Sequence, residues 1–331
     1  MLFSLLAYLG CGAVAGILAG LLGVGGGLVL VPMMLAIFPT VGVPPQYVQQ
    51  MALGTSLASI MITSISSARA HNKRGAVHWD IFKAITPGIL VGTFGGGLLA
   101  THLPTMFLKV FFICFLLVVA VQMLSNYRPP ASRDMPGSLG TACVGGGIGL
   151  VSSFVGIGGG TLSVPFMTFC NVPLHHAVGT SAAIGFPIAV AGTLGYIIGG
   201  WGRPDLPAAS LGFVNLWALA GIASASFCTA PLGARLSHAL PAAKLKKGFA
   251  CFLIIVAAKM AWGLLYPPSP SHERPLTPEK RQPDGMAAPP AKNLGERPSQ
   301  RDAPERHAGQ RRGGAYARGC QFCRSLGRPL R

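Results

Sequence analysis

Two glycine clusters are the parts of this chain best suited to bind a ligand without an ionised side chain. Gly23-Val24-Gly25-Gly26-Gly27 and Gly156-Ile157-Gly158-Gly159-Gly160 each interrupt an apolar stretch, and each is followed by a half-length apolar segment, residues 28 to 38 and 161 to 170. A half helix that starts after such a break exposes the backbone N–H groups of its first turn and about half a positive elementary charge. Glycine lets an anion approach those amides, so the pattern describes an anion site without a formal cation, which can also release what it holds. The candidate amide donors are Gly25, Gly26 and Gly27 in the first cluster and Gly158, Gly159 and Gly160 in the second. A second duplicated motif, Gly54-Thr55-Ser56 and Gly179-Thr180-Ser181, adds the hydroxyls of Thr55, Ser56, Thr180 and Ser181, with Ser59, Thr63 and Ser64 further along the first copy.

Glycines in a membrane helix ordinarily serve close packing, and serine or threonine hydroxyls there ordinarily bond their own backbone or a neighbouring helix. Duplication sets these apart. Gly23 to Pro32 aligns with Gly156 to Pro165 with identity at 6 of 10 positions, and Leu103 to Met123 aligns with Leu240 to Met260 with 11 identities in 21 positions and no gap. With the Gly-Thr-Ser motif between them, three blocks recur in the same order. Each half therefore reads as one unit, a broken helix followed by three ordinary spans. Irregular backbone at membrane depth is tolerated only when buried in protein or lining a cavity, so a duplicated break points to a site.

Other chemistries do not fit these residues. A dinucleotide fingerprint needs a third glycine where Leu28 and Thr161 stand, and no Lys-Ser/Thr follows either cluster to make a phosphate loop. A serine nucleophile at Ser181 would need a base, and His175 and His176 precede that span at its edge. Asp80, Asp134 and Asp205 fall in or near loops, leaving no carboxylate relay at depth, and Lys259 lies close enough to a segment end to snorkel. The chain is read as a non-enzyme with no cofactor and no metal.

The elements that position these residues follow from composition. Of 331 residues 51% are hydrophobic and 11% charged, against about 25% charged in soluble domains. Apolar segments run over about 2 to 22, 28 to 38, 48 to 68, 81 to 100, 105 to 124, 138 to 155, 161 to 170, 177 to 200, 211 to 230 and 248 to 265. Most approach the roughly 20 residues that cross a hydrocarbon core. The first run has no Lys or Arg before it and is too long for a cleavable signal peptide. The net charge of +17 lies in loops and in the tail, a distribution that fits the positive-inside rule and not a nucleic-acid groove. Cys11, Cys114, Cys143, Cys170, Cys228 and Cys251 sit in or beside apolar segments as small hydrophobes, not as a disulfide framework.

Charge also discriminates between two layouts. If each broken segment crosses once, loop Lys and Arg divide 7 to 5 between the faces. If each is a hairpin that turns at its glycines, they divide 10 to 2, with only Lys109 and Arg203 on the minority face. A hairpin plus three crossings is odd, so the second half begins on the opposite face. The fold class expected is an all-α polytopic membrane protein of two inverted repeats, each a glycine-broken re-entrant helix plus three transmembrane helices, with both termini outside the cytoplasm. Repeat 1 covers about 1–127 and repeat 2 about 138–266, together a transmembrane domain of residues 1–266. Residues 267–331 hold 11 of the 27 prolines and no periodicity, and are expected to be a disordered basic tail. Cys320 and Cys323 there form a lone CxxC with only His307 near, too few ligands for zinc.

These residues resemble the TauE/SafE family of sulfite and organosulfonate exporters. The likeness rests on the duplicated break ending in Val-Pro, the Gly-Thr-Ser span, the loop His71-Asn72-Lys73-Arg74-Gly75-Ala76-Val77 and the two Leu-Pro blocks, over about residues 5 to 265. It implies a multi-pass permease of the cell inner membrane that exports a small sulfur-containing oxyanion, such as sulfite or an organosulfonate, driven by the membrane potential or a proton gradient. Its partners would be that anion and the lipid bilayer, with no nucleic acid, and a homo-oligomer is compatible with it. A channel or cation carrier using the unwound carbonyls is the alternative, and a membrane scaffold without transport is the third.

Overall fold

The computed structural model describes residues 2–22, 26–125, 134–207, 209–239 and 242–265. The expected tail, 267–331, lies outside them, as do Gly23, Val24 and Gly25. Among the described residues there are ten α-helices, in order: α1 (Leu2–Leu22), α2 (Gly27–Ile37), α3 (Val48–Lys73), α4 (Trp79–Ala100), α5 (Thr105–Ser125), α6 (Ser138–Val155), α7 (Gly160–Phe169), α8 (Leu174–Gly199), α9 (Leu216–Ala239) and α10 (Ala242–Leu265). A short antiparallel hairpin, β1 (Ser210–Leu211) with β2 (Val214–Asn215), joins α8 to α9. The short helices α2 and α7 are the two half segments expected after the glycine clusters.

Among the described residues six stretches are long and apolar enough to cross a membrane: α3, α4, α5, α6, α8 and Lys247–Leu265 of α10. The apolar parts of the other helices are shorter, Leu5–Leu18 in α1 and Leu216–Thr229 in α9. The surface of these helices is itself hydrophobic. Val91, Val118, Val121, Phe227, Ile255 and Trp262 are all more than 60% exposed. Apolar side chains held outward on several long helices suit hydrocarbon as solvent, and the protein is a multi-pass membrane protein.

Helices α3 and α8, the two that carry Gly-Thr-Ser, form the centre of the molecule and pack on each other. Their contacts run in opposite order: a Cβ on Gly54 would lie 3.1 Å from Tyr196 Cβ, one on Gly192 2.7 Å from Leu57 Cδ1, and one on Gly185 3.6 Å from Ser64 Cβ. Hence α3 and α8 are antiparallel. Around this pair the packing exchanges between halves: α1 lies on α9, and α6, its counterpart in sequence, lies on α4. Small residues spaced by four make both contacts close. A Cβ at Gly88, Gly92 or Gly96 would run into Ala142, Gly146 or Ser153, and one at Gly12 or Gly16 into Ile222 or Ser226. These contacts run in the same order along each pair, so α1 and α9 are parallel, as are α4 and α6.

The short helices double back. Phe38, just past the end of α2, packs edge-on against Tyr8 of α1 with ring centroids 6.4 Å apart. On one continuous helix a separation of 30 positions would put them about 45 Å apart. The start of α2 sits at mid-height on α3, where a Cβ on Gly27 would be 3.0 Å from Ile60 Cδ1. The start of α7 sits part-way along α8, where a Cβ on Gly159 would be 3.0 Å from Ile184 Cγ2. Each short helix then runs to the N-terminal end of the long helix that follows it.

Candidate functional site

The two glycine breaks meet inside the protein. A Cβ on Gly27 would lie 2.5 Å from Gly156 O and 3.0 Å from Ile157 Cα, so backbone touches backbone. Ile60 of α3 reaches both tips, since its Cγ2 would lie 3.4 Å from a Cβ on Gly158. Gly26, Gly27, Gly158 and Gly159 are buried and Gly160 is half-buried. Of the candidate amide donors, Gly25 alone lies outside the described residues.

The tips differ in their backbone. Gly26 caps α2 with φ 73°, a left-handed conformation that a side chain disfavours. Gly159, its counterpart in sequence, caps α7 with φ −61° in the ordinary helical region. In the second half the left-handed residue is Gly156, φ 69°, which closes α6. The alignment therefore equates two glycines with different conformations. Gly159 is constrained by space instead: a Cβ there would be 3.1 Å from Ser181 O and 3.3 Å from Ser163 Oγ.

Amide supply differs too. In α7 the Ser163 N–H is the first to find a helical acceptor, Gly159 O at 2.8 Å, so the N–H groups of Gly160, Thr161 and Leu162 precede the ladder. In α2 both Val29 and Leu30 donate to Gly26 O at 3.0 Å, and only Gly27 and Leu28 precede it.

The four hydroxyls of the Gly-Thr-Ser motifs are all buried, and each makes a bond within the protein. Ser56 Oγ donates to Gly156 O at 2.8 Å, tying α3 to the second tip. Thr55 Oγ1 accepts from Asn215 N at 3.0 Å, and Thr180 Oγ1 accepts from His78 N at 2.9 Å. Those two bonds correspond to each other: each threonine holds the residue just before the next-but-one counterpart span, α9 in one case and α4 in the other. Ser181 Oγ donates to Val178 O at 2.9 Å on its own helix. The hydroxyl hydrogens of Ser56 and Ser181 are thus engaged, whereas Thr55 and Thr180 act as acceptors.

The residues that sequence reasoning missed are Thr161 and Ser163. Both hydroxyl oxygens are buried with no hydrogen-bond partner, and Ser163 is wholly inaccessible. A buried polar group without a partner costs about 1–3 kcal/mol, so it is uncommon unless something else binds there. Ser152 on α6, Thr93 on α4 and Thr193 on α8 carry further unpartnered buried hydroxyls. Ile60, Ser181, Ile184 and Gly185 stand against the α7 tip. What this arrangement can do is donate hydrogen bonds to a small anion. Among the described residues no group of three or more His, Cys, Asp or Glu side chains could hold a metal ion.

Comparison with known proteins gives a consistent picture. A family profile described as sulfite exporter TauE/SafE matches residues 8–260. A probable membrane transporter protein of Haemophilus influenzae is 40% identical over 75% of this chain and 95% of its own length. Probable membrane transporter proteins of Methanocaldococcus jannaschii and Bacillus subtilis are 30% and 26% identical, over 56% and 70% of this chain and 70% and 89% of their own lengths. No solved structure matches the chain.

Proposed function

This chain belongs to the sulfite exporter TauE/SafE family of membrane transporters, and from that premise we propose that it is a secondary transporter exporting a small sulfur-containing anion, sulfite or an organosulfonate, across the cell inner membrane. The glycine-capped tips, Gly26 and Gly27 at the start of α2 and Gly158, Gly159 and Gly160 at the start of α7, meet at the site, and backbone amides there hold the anion. Thr55, Ser56, Thr180 and Ser181 frame the site from α3 and α8. The observation that carries this reading is the buried start of α7, where amides ahead of the helical ladder stand beside the unpartnered Ser163 hydroxyl. An anion there gains hydrogen bonds and the positive end of the helix dipole.

The two halves act as inverted repeats in this proposal. The antiparallel course of α3 and α8, which are counterparts in sequence, supports it, and so does the 10 to 2 division of loop cations. Alternating access is then rocking of one half against the other about the touching tips. Both termini lie outside the cytoplasm.

Reconstitution into liposomes tests the proposal. With the purified full chain, sulfite or methanesulfonate should cross faster than through empty vesicles, and flux should respond to an imposed membrane potential. Cation flux without anion flux would favour a pathway lined by unwound carbonyls and would overturn the anion reading.

A further inference from the structure

The two halves are not equivalent at their tips, and the difference is chemical. Within the aligned decapeptides Gly23 to Pro32 and Gly156 to Pro165 only four positions differ. Two of them, Leu28 against Thr161 and Leu30 against Ser163, exchange an aliphatic side chain for a hydroxyl in the first turn of the half helix. Leu28 and Leu30 are 1% and 4% exposed and belong to the hydrophobic core. Thr161 and Ser163 place hydroxyl oxygens at the opposite tip and find no partner for them. The backbone differs in the same sense, with three amides ahead of the ladder in α7 and two in α2.

Resting on the anion-transport reading above, we propose that the protein has a single, asymmetric anion seat. It is built at the N-terminus of α7 from the amides of Gly160, Thr161 and Leu162 and the hydroxyl of Ser163, which lies beside Gly159. The α2 tip is its apolar packing partner and binds no anion itself. An oxyanion is the ligand class that suits this donor set, because its oxygens can accept from several amides and a hydroxyl at once. At the α2 tip the same anion would meet Leu28 and Leu30 and lose its hydroxyl donor. Gly27 is packed against Gly156 O, so its glycine serves contact between the tips.

Ser163 has a property that separates this role from a structural one. A structural serine, once bonded, destabilises the protein when removed. A buried hydroxyl without a protein partner costs desolvation, so Ser163→Ala should leave the ligand-free melting temperature unchanged or raise it. The same substitution should weaken binding of the probe anions, sodium sulfite and potassium methanesulfonate, by roughly tenfold or more, the loss expected for one hydrogen bond to a charged group.

The experiment is a thermal-shift titration of the purified full chain with these anions, joined to flux in liposomes. Leu30→Ala should lower the melting temperature through the cavity it leaves, with affinity preserved. Parent-like affinity in Ser163→Ala, or equal weakening by Leu30→Ala, would overturn the asymmetric seat while anion binding by the parent chain stands. A parent chain that neither binds nor moves any of these anions would overturn the anion reading itself, and the seat with it.

Discussion

Replacing Gly159 by alanine should separate the proposed anion seat from the stability of the fold. Gly159 has φ −61° and ψ −22°, so an alanine takes up the same backbone without strain. The added methyl would stand 3.0 Å from Ile184 Cγ2, 3.1 Å from Ser181 O and 3.3 Å from Ser163 Oγ. Crowding of this kind costs on the order of 1 kcal/mol if Ile184 adjusts, and the gain in helix propensity over glycine offsets part of it. On the ligand side the methyl occupies space beside the Ser163 hydroxyl, where an anion must approach. Losing one amide or hydroxyl contact there lowers affinity by roughly tenfold, about 1.4 kcal/mol. Gly26→Ala should behave in the opposite way. With φ 73° it takes a left-handed penalty of about 1–2 kcal/mol, which lowers the melting temperature by several degrees in a domain of this size. Gly95 is the neutral control because nothing lies within 4 Å of its Cβ position, whereas at Gly97 a Cβ would be 3.1 Å from Gly192 O. The assay is melting temperature and anion flux measured on the same preparations. Parent-like flux and KM in Gly159→Ala would refute the placement of the anion at the α7 amides.

Three further outcomes are expected. Thr55→Val and Thr180→Val each leave a backbone N–H, of Asn215 and of His78, without its acceptor, and should each lower stability by about 1–3 kcal/mol in thermal or denaturant unfolding; unchanged unfolding would show that water replaces the hydroxyl. Single cysteines at Arg74 and Lys247, in a background without native cysteines, should both be shielded from an impermeant reagent added outside intact cells, while one at Asp205 should react. In a layout of eight straight crossings Arg74 and Lys247 fall on opposite faces, so labelling of just one of them would refute the hairpins. Truncation after Pro268 removes a segment whose composition cannot bury a core, and should leave membrane insertion and flux near those of the full chain; loss of folded protein would mean that the tail is required for folding.

The helices themselves were largely legible in the sequence. The apolar segments 28 to 38 and 161 to 170 appear as Gly27–Ile37 and Gly160–Phe169, because a glycine break followed by an uninterrupted apolar run leaves a helix one place to start. Segment 211 to 230 begins later, at Leu216, since residues 210–215 form a strand hairpin whose turn glycine, Gly212, has φ 54°. That hairpin was hidden by its apolar composition. The partners of Thr55 and Thr180 could not be read, because Asn215 and His78 lie 160 and 102 residues away in the chain. Ser163 and Thr161 were visible as differences inside an otherwise matching block, but attention to identity passes over them. What sets them apart is burial without a hydrogen-bond partner, which the sequence does not show. Gly26 and Gly159 show a limit of alignment: equal residues at equal positions adopt φ 73° and −61°, because each tip is shaped by what packs against it.

In the proposed mechanism this protein moves a small oxyanion through amide contacts at a glycine-capped half helix. Anion flux into liposomes containing the full chain, compared between the parent protein and Ser163→Ala under the same imposed potential, tests it most directly. Potential-dependent flux of sulfite or methanesulfonate is expected in the parent, with a marked rise in KM in Ser163→Ala at an equal or higher melting temperature and equal protein content. Flux of cations alone, or anion flux identical in both proteins, would contradict it.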